Sequence, residues 1–198
     1  MAARKNPYGA IEAFKAAFAP DDMRTRLILK VNNPTPEAAR AIRNSIGPYR
    51  NIQVLDRILS RGEVNALIAN TDCYVSLHRS EGFGFGPAEA MALGKPILAT
   101  HWSGNTDYMR PDNCLPIDYT LVTIEEDYGP YKKGQRWAEP DVAQAATAMQ
   151  SLLADPGLAA RLGAAAKVTI ETEFSPRAVG EMMRRRLDAI RDNLRRNG

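Results

Sequence analysis

Cysteine is scarce in this chain, and the two that it has are not arranged as a site. Cys73 and Cys114 lie far apart in the sequence and lack the short spacing that metal ligands have. Nothing therefore indicates a disulfide-rich secreted domain or a metal centre, and no metal is expected. We expect two free, buried thiols in a reducing compartment, with a disulfide between them as the alternative.

Long apolar runs are also missing. No stretch of about twenty apolar residues occurs, so the sequence predicts no membrane-spanning helix. The first residues, Met-Ala-Ala-Arg-Lys-Asn-Pro, do not contain the apolar core of a signal peptide. Together with the few cysteines, these absences lead us to expect a cytoplasmic protein.

Charge of one sign is not in large excess. The net charge is only +3, and much of the basic excess lies near the C-terminus, without a nucleic-acid-binding module elsewhere. We therefore expect no nucleic-acid partner. Apolar residues make up 44% and charged residues 25% of the 198 residues, as in an ordinary globular domain. The length suits one well-packed domain and is too short for two of ordinary size.

Short apolar runs alternate with helical patterns over the first two thirds of the chain. The predicted strands are Leu27–Val31, Ile52–Leu55, Cys73–Leu77, Pro96–Ala99 and Cys114–Ile117. The predicted helices between them are Tyr8–Phe18, Pro36–Ile46, a helix capped by Ser60 that runs to Asn70, and Pro87–Leu93. This alternation predicts an α/β fold with a doubly wound parallel sheet.

The last third is predicted to be helical after one long interruption. Leu121–Pro140 breaks the pattern with aromatic residues and prolines, and we predict an ordered, functional loop there. Helices are predicted at Asp141–Ala154, Pro156–Glu173 and from Pro176 to about Asn197. We expect residues 1–175 to form the domain and residues 176–198 to form a basic amphipathic helix.

That final helix has an apolar stripe, which consists of Met183, Leu187, Ile190 and Leu194. We predict that the stripe packs on the domain itself, because the aromatic anchors of interfacial helices are absent. Docking on an anionic membrane or on a partner is the alternative.

One segment, from Glu81 to Gly94, has the pattern of a ligand-binding loop. It reads E-G-F-G-F-G-P-A-E-A-M-A-L-G and follows a predicted buried strand. Glycines at alternate positions, Gly82, Gly84 and Gly86, let the backbone approach a ligand closely. A glycine loop between a strand and a helix presents free N–H groups and a positive helix end to one anion.

Two carboxylates lie on either side of this loop. Glu81 is at the carboxyl end of the strand, where ligands of open α/β sheets bind, and Glu89 is expected in the first turn of the helix. Ionised carboxylates accept hydrogen bonds from vicinal hydroxyls. Hydroxyls beside a phosphate cradle are the features of a nucleotide sugar.

Other interpretations of the segment are weaker. In a dinucleotide fingerprint the third glycine would fall on Glu89. Glu89 alone is also consistent with a favourable charge near a helix N-terminus. A glycosidase pair needs carboxylates on opposite sides of a scissile bond, not on one glycine loop.

The spacing Glu81-x₇-Glu89, with Gly82-Phe83-Gly84 after the first acid, resembles the E-x₇-E signature of retaining GT-B glycosyltransferases, and family four in particular. The resemblance covers nearly the whole chain and implies the Rossmann-like C-terminal, donor-binding half of such an enzyme. It implies that Glu81 and the loop from Gly82 to Phe85 hold the donor sugar. Glu89 is implied to hold the ribose.

Basic residues are implied for the diphosphate. Lys5-Asn6-Pro7-x-Gly9 resembles the start of the family's lysine-bearing helix, so Lys5 is implied to act with Glu81 in catalysis by stabilising the leaving group. Its partner arginine is expected upstream, and Arg4 is a candidate substitute. Further donor-binding candidates are Arg57 and Asn105, with Lys30 and Arg79 as weaker ones. In the loop after the fourth predicted strand, Asp107 stands where relatives have glutamate.

The resemblance implies transfer of a sugar, with retention, from a nucleotide sugar and without a metal or other cofactor. An N-terminal acceptor domain, or another chain, is the implied partner, and we expect this chain alone to be inactive. The alternatives are a stand-alone binding or assembly module and a sugar-nucleotide epimerase, whose glycine fingerprint and Tyr-x-x-x-Lys pair are not evident.

The family's first strand, normally central in the sheet, has no counterpart in the sequence. A missing central strand leaves backbone groups unpaired. We therefore predict that neighbouring strands close the gap, that another segment fills it, or that the chain has low stability.

Overall fold

The computed structural model describes residues 2–197. Its helices are Ala2–Lys5 (α1), Pro7–Ala17 (α2), Pro36–Ile46 (α3), Arg61–Ala69 (α4), Phe85–Ala92 (α5), Val142–Ala154 (α6), Pro156–Glu173 (α7) and Pro176–Asn197 (α8). Its strands are Leu27–Val31 (β1), Ile52–Asp56 (β2), Tyr74–Ser76 (β3), Ile97–Thr100 (β4), Leu115–Ile117 (β5), Tyr119–Thr123 (β6) and Arg136–Pro140 (β7). Each predicted strand is present, with ends shifted by at most a few residues.

The first five strands pair in parallel. β1 pairs with β2, and a second sheet has the order β3-β4-β5. Alternate residues of β4 enter two apolar clusters: Leu98 packs with residues of α2, α3 and α6, whereas Ile97 and Ala99 pack with residues of α4, α5 and α7. Helices therefore cover both faces, which confirms the predicted α/β fold with parallel strands.

Helix capping follows the sequence closely. Ser60 caps α4: its Oγ accepts from the Glu63 N–H at 3.3 Å, and the Glu63 carboxylate accepts from the Ser60 N–H at 2.7 Å. This reciprocal capping box satisfies two N–H groups that the helix leaves unpaired. Thr35 caps α3 in a similar way through Ala38. Local chemistry therefore fixes where these helices begin.

The prediction of a loop over Leu121–Pro140 is wrong in part. β6 and β7 form an antiparallel hairpin, in which Tyr119 lies opposite Pro140 and Thr123 opposite Arg136. Trp137 is buried, and Tyr128 stacks on its ring at 5.3 Å. The run Tyr-Thr-Leu-Val-Thr at β6 is rich in residues that favour strands, and its partner lies beyond the hairpin tip.

The two parallel sheets are not joined by backbone pairing. β1 and β3 each have one strand partner, and within residues 2–197 no strand lies between them. Both sheets nevertheless contribute to one apolar cluster. All residues of β4 are buried, whereas β1 and β3 are largely half-buried. Among the described residues, neither a neighbouring strand nor another segment closes the gap by backbone pairing. The third alternative, low stability of the chain, stays a prediction.

Hydrogen exchange tests the open strand edges. We expect the alternate amides of β1 and β3 that have no strand partner to exchange on the order of 100-fold faster than the amides of β4, which has partners on both sides. The measurement is native-state exchange of the intact chain, followed by NMR. Equal protection in the three strands would show that the edges are covered in solution.

The predicted packing of the α8 stripe on the domain is not what the structure shows. The stripe residues are exposed, and burial along α8 ends near Glu181. Among the described residues, the side chains from 182 to 196 are all exposed. No helix of residues 2–197 has the length and apolar character needed to cross a membrane.

Both cysteines are free thiols, as expected. Cys114 is buried, and Cys73 is half-buried. Burial raises the pKa of each thiol to about 12, so both stay protonated at neutral pH.

Candidate functional site

The glycine loop begins where β3 ends and rests on the turn that follows β4. The Glu81 N–H donates to Ser103 Oγ at 2.8 Å, and the Gly104 N–H points to the Glu81 carbonyl oxygen at 3.4 Å. A Cβ on Gly104 would lie only 1.4 Å from the Gly82 carbonyl oxygen. The two loops are therefore in backbone contact, which requires glycine at position 104.

The helix after the loop begins earlier than predicted. α5 begins at Phe85, not at Pro87, and its N-cap is Gly84 with φ of 83°. The Tyr108 hydroxyl donates to the Gly84 carbonyl oxygen at 2.6 Å, which holds this left-handed turn. Pro87 still lies in the first turn, where a missing N–H costs no helical bond. Glu89 consequently lies in the second turn of α5, not the first.

The two candidate carboxylates lie at the same end of the sheet. The hydroxyl of Tyr74 lies beneath Gly86, where a Cβ would approach it to 2.3 Å. Burial raises the pKa of Tyr74, and the negative charges of Glu81 and Glu89 raise it further. Both carboxylates therefore lie near enough to Tyr74 for their charges to act on its pKa.

Glu81 is held between two cations. Its carboxylate accepts from Lys5 through Oε1 and pairs with Arg4 through Oε2 at 3.0 Å. Arg4 also donates to the Ser80 carbonyl oxygen at 2.7 Å. The Glu81 side chain is only 7% exposed, whereas that of Lys5 is 53% exposed. Burial opposes ionisation of Glu81, but Lys5 and Arg4 outweigh it, so the pKa of Glu81 lies below its usual value.

A buried histidine supports this end of β3. His78 has no exposed surface, and its ring nitrogens lie 3.2 Å from the Trp102 carbonyl oxygen and 3.0 Å from Ser76 Oγ. Burial lowers the pKa of His78, so the imidazole is neutral at physiological pH. It links the exits of β3 and β4, from which the two loops of the site begin.

Asn105 does not have the position predicted for a donor ligand. Its side chain is fully buried, its amide nitrogen donates to the Thr100 carbonyl oxygen at 2.9 Å, and its amide oxygen lies 3.1 Å from His78 Nε2. These bonds leave it inside the turn after β4. Asn105 therefore stabilises that turn and has no surface with which to contact a donor.

Glu89 has a basic partner that the sequence did not predict. Arg61, the first residue of α4, donates to Glu89 Oε1. The Arg61 side chain is 67% exposed and that of Glu89 is 25% exposed, so both are accessible to a ligand.

The two loop phenylalanines differ in environment. Phe83 packs against the rings of Tyr108 and Phe174 at 5.0 and 6.0 Å. Phe85 is 71% exposed and touches Phe83 at 5.3 Å. Phe83 therefore anchors the loop, and the Phe85 side chain faces solvent.

The other basic candidates are not brought to the loop as a group. Lys30, at β1, donates to the nearby Asn32. Arg79 forms two hydrogen bonds to Glu139, at 2.6 and 2.9 Å, and lies over the Trp137 ring. Arg79 thereby ties the hairpin to the exit of β3, and its guanidinium is occupied. Arg57 follows β2 and is exposed.

Gly82 differs from its neighbours because no protein contact requires it. A Cβ added there would meet no atom within 4 Å, and its φ is not in the left-handed region. Gly84 needs its positive φ, and a Cβ on Gly86 would collide with Tyr74. Gly82 alone of the three is thus free of a structural requirement, as expected where a ligand approaches the backbone.

The candidate site does not coincide with a large cavity of the described residues. A cavity of about 440 Å³ lies at β2 and is lined by Arg26, Arg43 and Arg50, among others. It contains no residue of the glycine loop. The candidate site is instead identified by its carboxylates, its cations and the helix end.

Sequence reasoning missed three residues of the site: Arg61, Ser103 and Tyr108. Each contacts the loop or its acids from a distant part of the chain, so no local spacing marks it. For Ser103 a signal existed, because Ser-Gly after a buried strand indicates a tight turn.

One comparison with known proteins identifies a family. A family model described as "Glycosyl transferases group 1" matches residues 1–169. No curated protein matches the chain. Among solved structures, Anabaena Alr3699/HepE in complex with UDP and glucose is similar, with a TM-score of 0.70 and 16% identity. The match covers 94% of this chain and 45% of that protein.

Two further structures have the same fold. The C-terminal domain of a glycosyl transferase group 1 family protein (LpcC) from Francisella tularensis has a TM-score of 0.66 and 17% identity, and the match covers 87% of this chain and 81% of that one. Sucrose-phosphate synthase from Thermosynechococcus elongatus has a TM-score of 0.68 and 21% identity, with coverage of 94% and 43%. The chain thus spans less than half the length of two of these three neighbours.

Proposed function

Because the chain belongs to the glycosyl transferases group 1 family, we propose that it is the donor-binding half of a retaining glycosyltransferase. The donor is a nucleotide sugar, and the product is a glycoside with the same anomeric configuration. Glu81 and the amides of Gly82, Phe83 and Gly84 hold the sugar. Glu89 holds the ribose hydroxyls.

The observation that carries this proposal is the arrangement around Glu81. A buried, ionised carboxylate lies between Arg4 and Lys5 at the start of a glycine loop, and a second carboxylate acts on the same phenol, Tyr74. Carboxylates accept hydrogen bonds from sugar and ribose hydroxyls, while the cations and the α5 N-terminus favour a diphosphate between them.

Lys5 has the chemistry needed for the leaving group. Cleavage of the bond between sugar and diphosphate leaves negative charge on the nucleoside diphosphate. The half-exposed Lys5 ammonium and the free N–H groups before α5 stabilise that charge, so no metal ion is required. The acceptor hydroxyl then attacks the anomeric carbon on the face that the diphosphate leaves, the bond from that carbon to the diphosphate oxygen breaks, and the departing diphosphate oxygen accepts the hydroxyl proton.

Turnover needs a second component. The chain spans only 45% of the neighbour that is in complex with UDP and glucose. We propose that an acceptor domain, in the same protein or in another chain, closes over the donor. By itself this chain binds the donor and transfers little.

A thermal-shift screen tests the proposed donor. Uridine, guanosine and adenosine diphosphates are each added to the chain, uridine diphosphate first because a structural neighbour is in complex with it. At ten times the dissociation constant we expect one of them to raise the Tm by about 3–6 °C. Glu89→Ala removes the ribose contact and should abolish most of that shift. No shift with any of the three at millimolar concentration would contradict the proposal.

A stand-alone module that binds a nucleotide sugar without transferring it is the second candidate. The observation in its favour is the similarity to a crystal structure of a C-terminal domain alone. The match covers 81% of that domain. Two observations separate the candidates. An in-frame acceptor domain in the coding sequence upstream of Met1, or sugar transfer when an acceptor-domain chain is added, supports the enzyme; binding of the nucleotide sugar with neither supports the module.

A further inference from the structure

Arg61 and Glu89 form an ion pair between two helices whose N-terminal ends lie at the same edge of the sheet. Arg61 is the first residue of α4, and Glu89 lies in the second turn of α5. In the described residues, Arg61 is the side chain that donates to the Glu89 carboxylate, and it does so at Oε1. The second oxygen, Oε2, is left for another donor.

The stability of α4 does not explain an arginine at this position. The positive end of a helix dipole disfavours a cation in the first turn. Glu63, in the same turn, already completes the capping box with Ser60. The arginine therefore lies where it is unfavourable for its own helix, and Glu89 is its ion-pair partner.

The stability of the fold does not explain the pair either. Arg61 is mostly exposed, and exposed ion pairs contribute little to folding because solvent screens them. Some other exposed pairs, such as Arg177 with Glu181 on α8, connect residues one turn apart on one helix, whereas Arg110 with Glu173 also joins distant parts of the chain. The pair at Glu89 joins residues 28 positions apart and involves a carboxylate of the candidate site.

We propose that Arg61 is a positioning residue for nucleotide recognition. By holding Oε1, it fixes the Glu89 carboxylate so that Oε2 accepts a hydrogen bond from the ribose 2′-hydroxyl. Arg61 acts through Glu89 and does not itself contact the diphosphate. This inference rests on the proposed function, because it assigns the ribose to Glu89.

A double-mutant cycle with paired nucleotides tests the assignment. The probes are uridine diphosphate and 2′-deoxyuridine diphosphate, or the guanosine or adenosine pair if the screen selects that base. Calorimetry measures their binding to the intact chain and to Arg61→Met, Arg61→Lys, Glu89→Gln and the double variant Arg61→Met/Glu89→Gln. Arg177→Met is the matched control, because it removes an exposed, paired arginine far along the chain.

The expected pattern is specific to the ribose. Arg61→Met should weaken binding of the ribonucleotide ~3- to 10-fold and leave the 2′-deoxy nucleotide within about twofold, with an unchanged Tm. Arg61→Lys should restore part of the loss, since a lysine also donates to Oε1. In the Glu89→Gln background, Arg61→Met should have no further effect. Arg177→Met should bind like the original chain.

Two results would overturn the inference. Equal losses for the two nucleotides would make Arg61 a direct ligand of the diphosphate, and no loss for either would make the pair irrelevant to binding. If the unaltered chain binds none of the nucleotides, the proposed function itself fails, which is a separate result.

Discussion

Glu81→Gln is expected to remove most of the recognition of the donor sugar. The amide that replaces the carboxylate carries no charge, so it loses charged hydrogen bonds that contribute about 1.5–3 kcal/mol each. Affinity for the nucleotide sugar should fall by about 10- to 100-fold. Affinity for the nucleoside diphosphate should change much less, because the α5 N-terminus, Lys5 and Glu89 remain.

Calorimetry with UDP-glucose and with uridine diphosphate, or with the corresponding pair for the base that the screen selects, measures both affinities. Glu181→Gln is the control, since Glu181 also pairs with an arginine but lies on α8. If the variant at position 81 loses both ligands equally, Glu81 maintains the whole site. If it loses neither, the sugar binds elsewhere.

Gly104→Ala is expected to have the largest effect on stability. The new Cβ would lie 1.4 Å from the Gly82 carbonyl oxygen, which is a backbone atom and cannot swing away as a side chain could. The turn after β4 and the glycine loop must therefore separate, at a cost of about 2–4 kcal/mol. A chain of this size should lose roughly 5–15 °C in Tm.

Gly82→Ala is the matched control for this change, because its Cβ would meet nothing within 4 Å. It should leave the Tm nearly unchanged and weaken ligand binding only. Thermal unfolding of the two variants side by side makes the comparison. An equally stable Gly104→Ala chain would mean that the two loops are not in contact in solution.

The sequence predicts those parts of the fold that local patterns determine. Apolar runs between helical patterns locate β1 to β5, and the Ser60–Glu63 capping box locates the start of α4. The β6–β7 hairpin was missed because its strands are brought together by a tip of twelve residues, 124–135, and by packing of Tyr128 on Trp137. The start of α5 was misplaced because Gly84 adopts a left-handed conformation that Tyr108 stabilises from outside the loop.

The candidate site divides in the same way. Glu81, Glu89 and the glycines lie within one segment, so their spacing is visible in the sequence. Spacing does not show their basic partners. Lys5, which the resemblance implied, is 76 positions from Glu81, and Arg61, which was not predicted, is 28 positions from Glu89. Whether a basic residue meets an acid at such separations depends on how the strands are ordered. For the same reason Arg79 and Asn105, predicted near the donor, are bonded elsewhere.

The exposed stripe of α8 shows a further limit. Helical spacing of Met183, Leu187, Ile190 and Leu194 correctly indicates an apolar face, but spacing does not say what that face contacts. In the structure these residues are exposed. Amphipathicity predicts the helix and leaves its neighbour undetermined.

The central claim is that the loop between Glu81 and Glu89 binds a nucleoside diphosphate. An NMR titration of the ¹⁵N-labelled chain with the nucleotide selected by the thermal screen tests it most directly, because each backbone amide reports separately. We predict saturable shifts that are largest at Gly82, Phe83 and Gly84 and that include Lys5 and Glu89. Shifts centred on another surface, or no shifts at millimolar nucleotide, would contradict the claim.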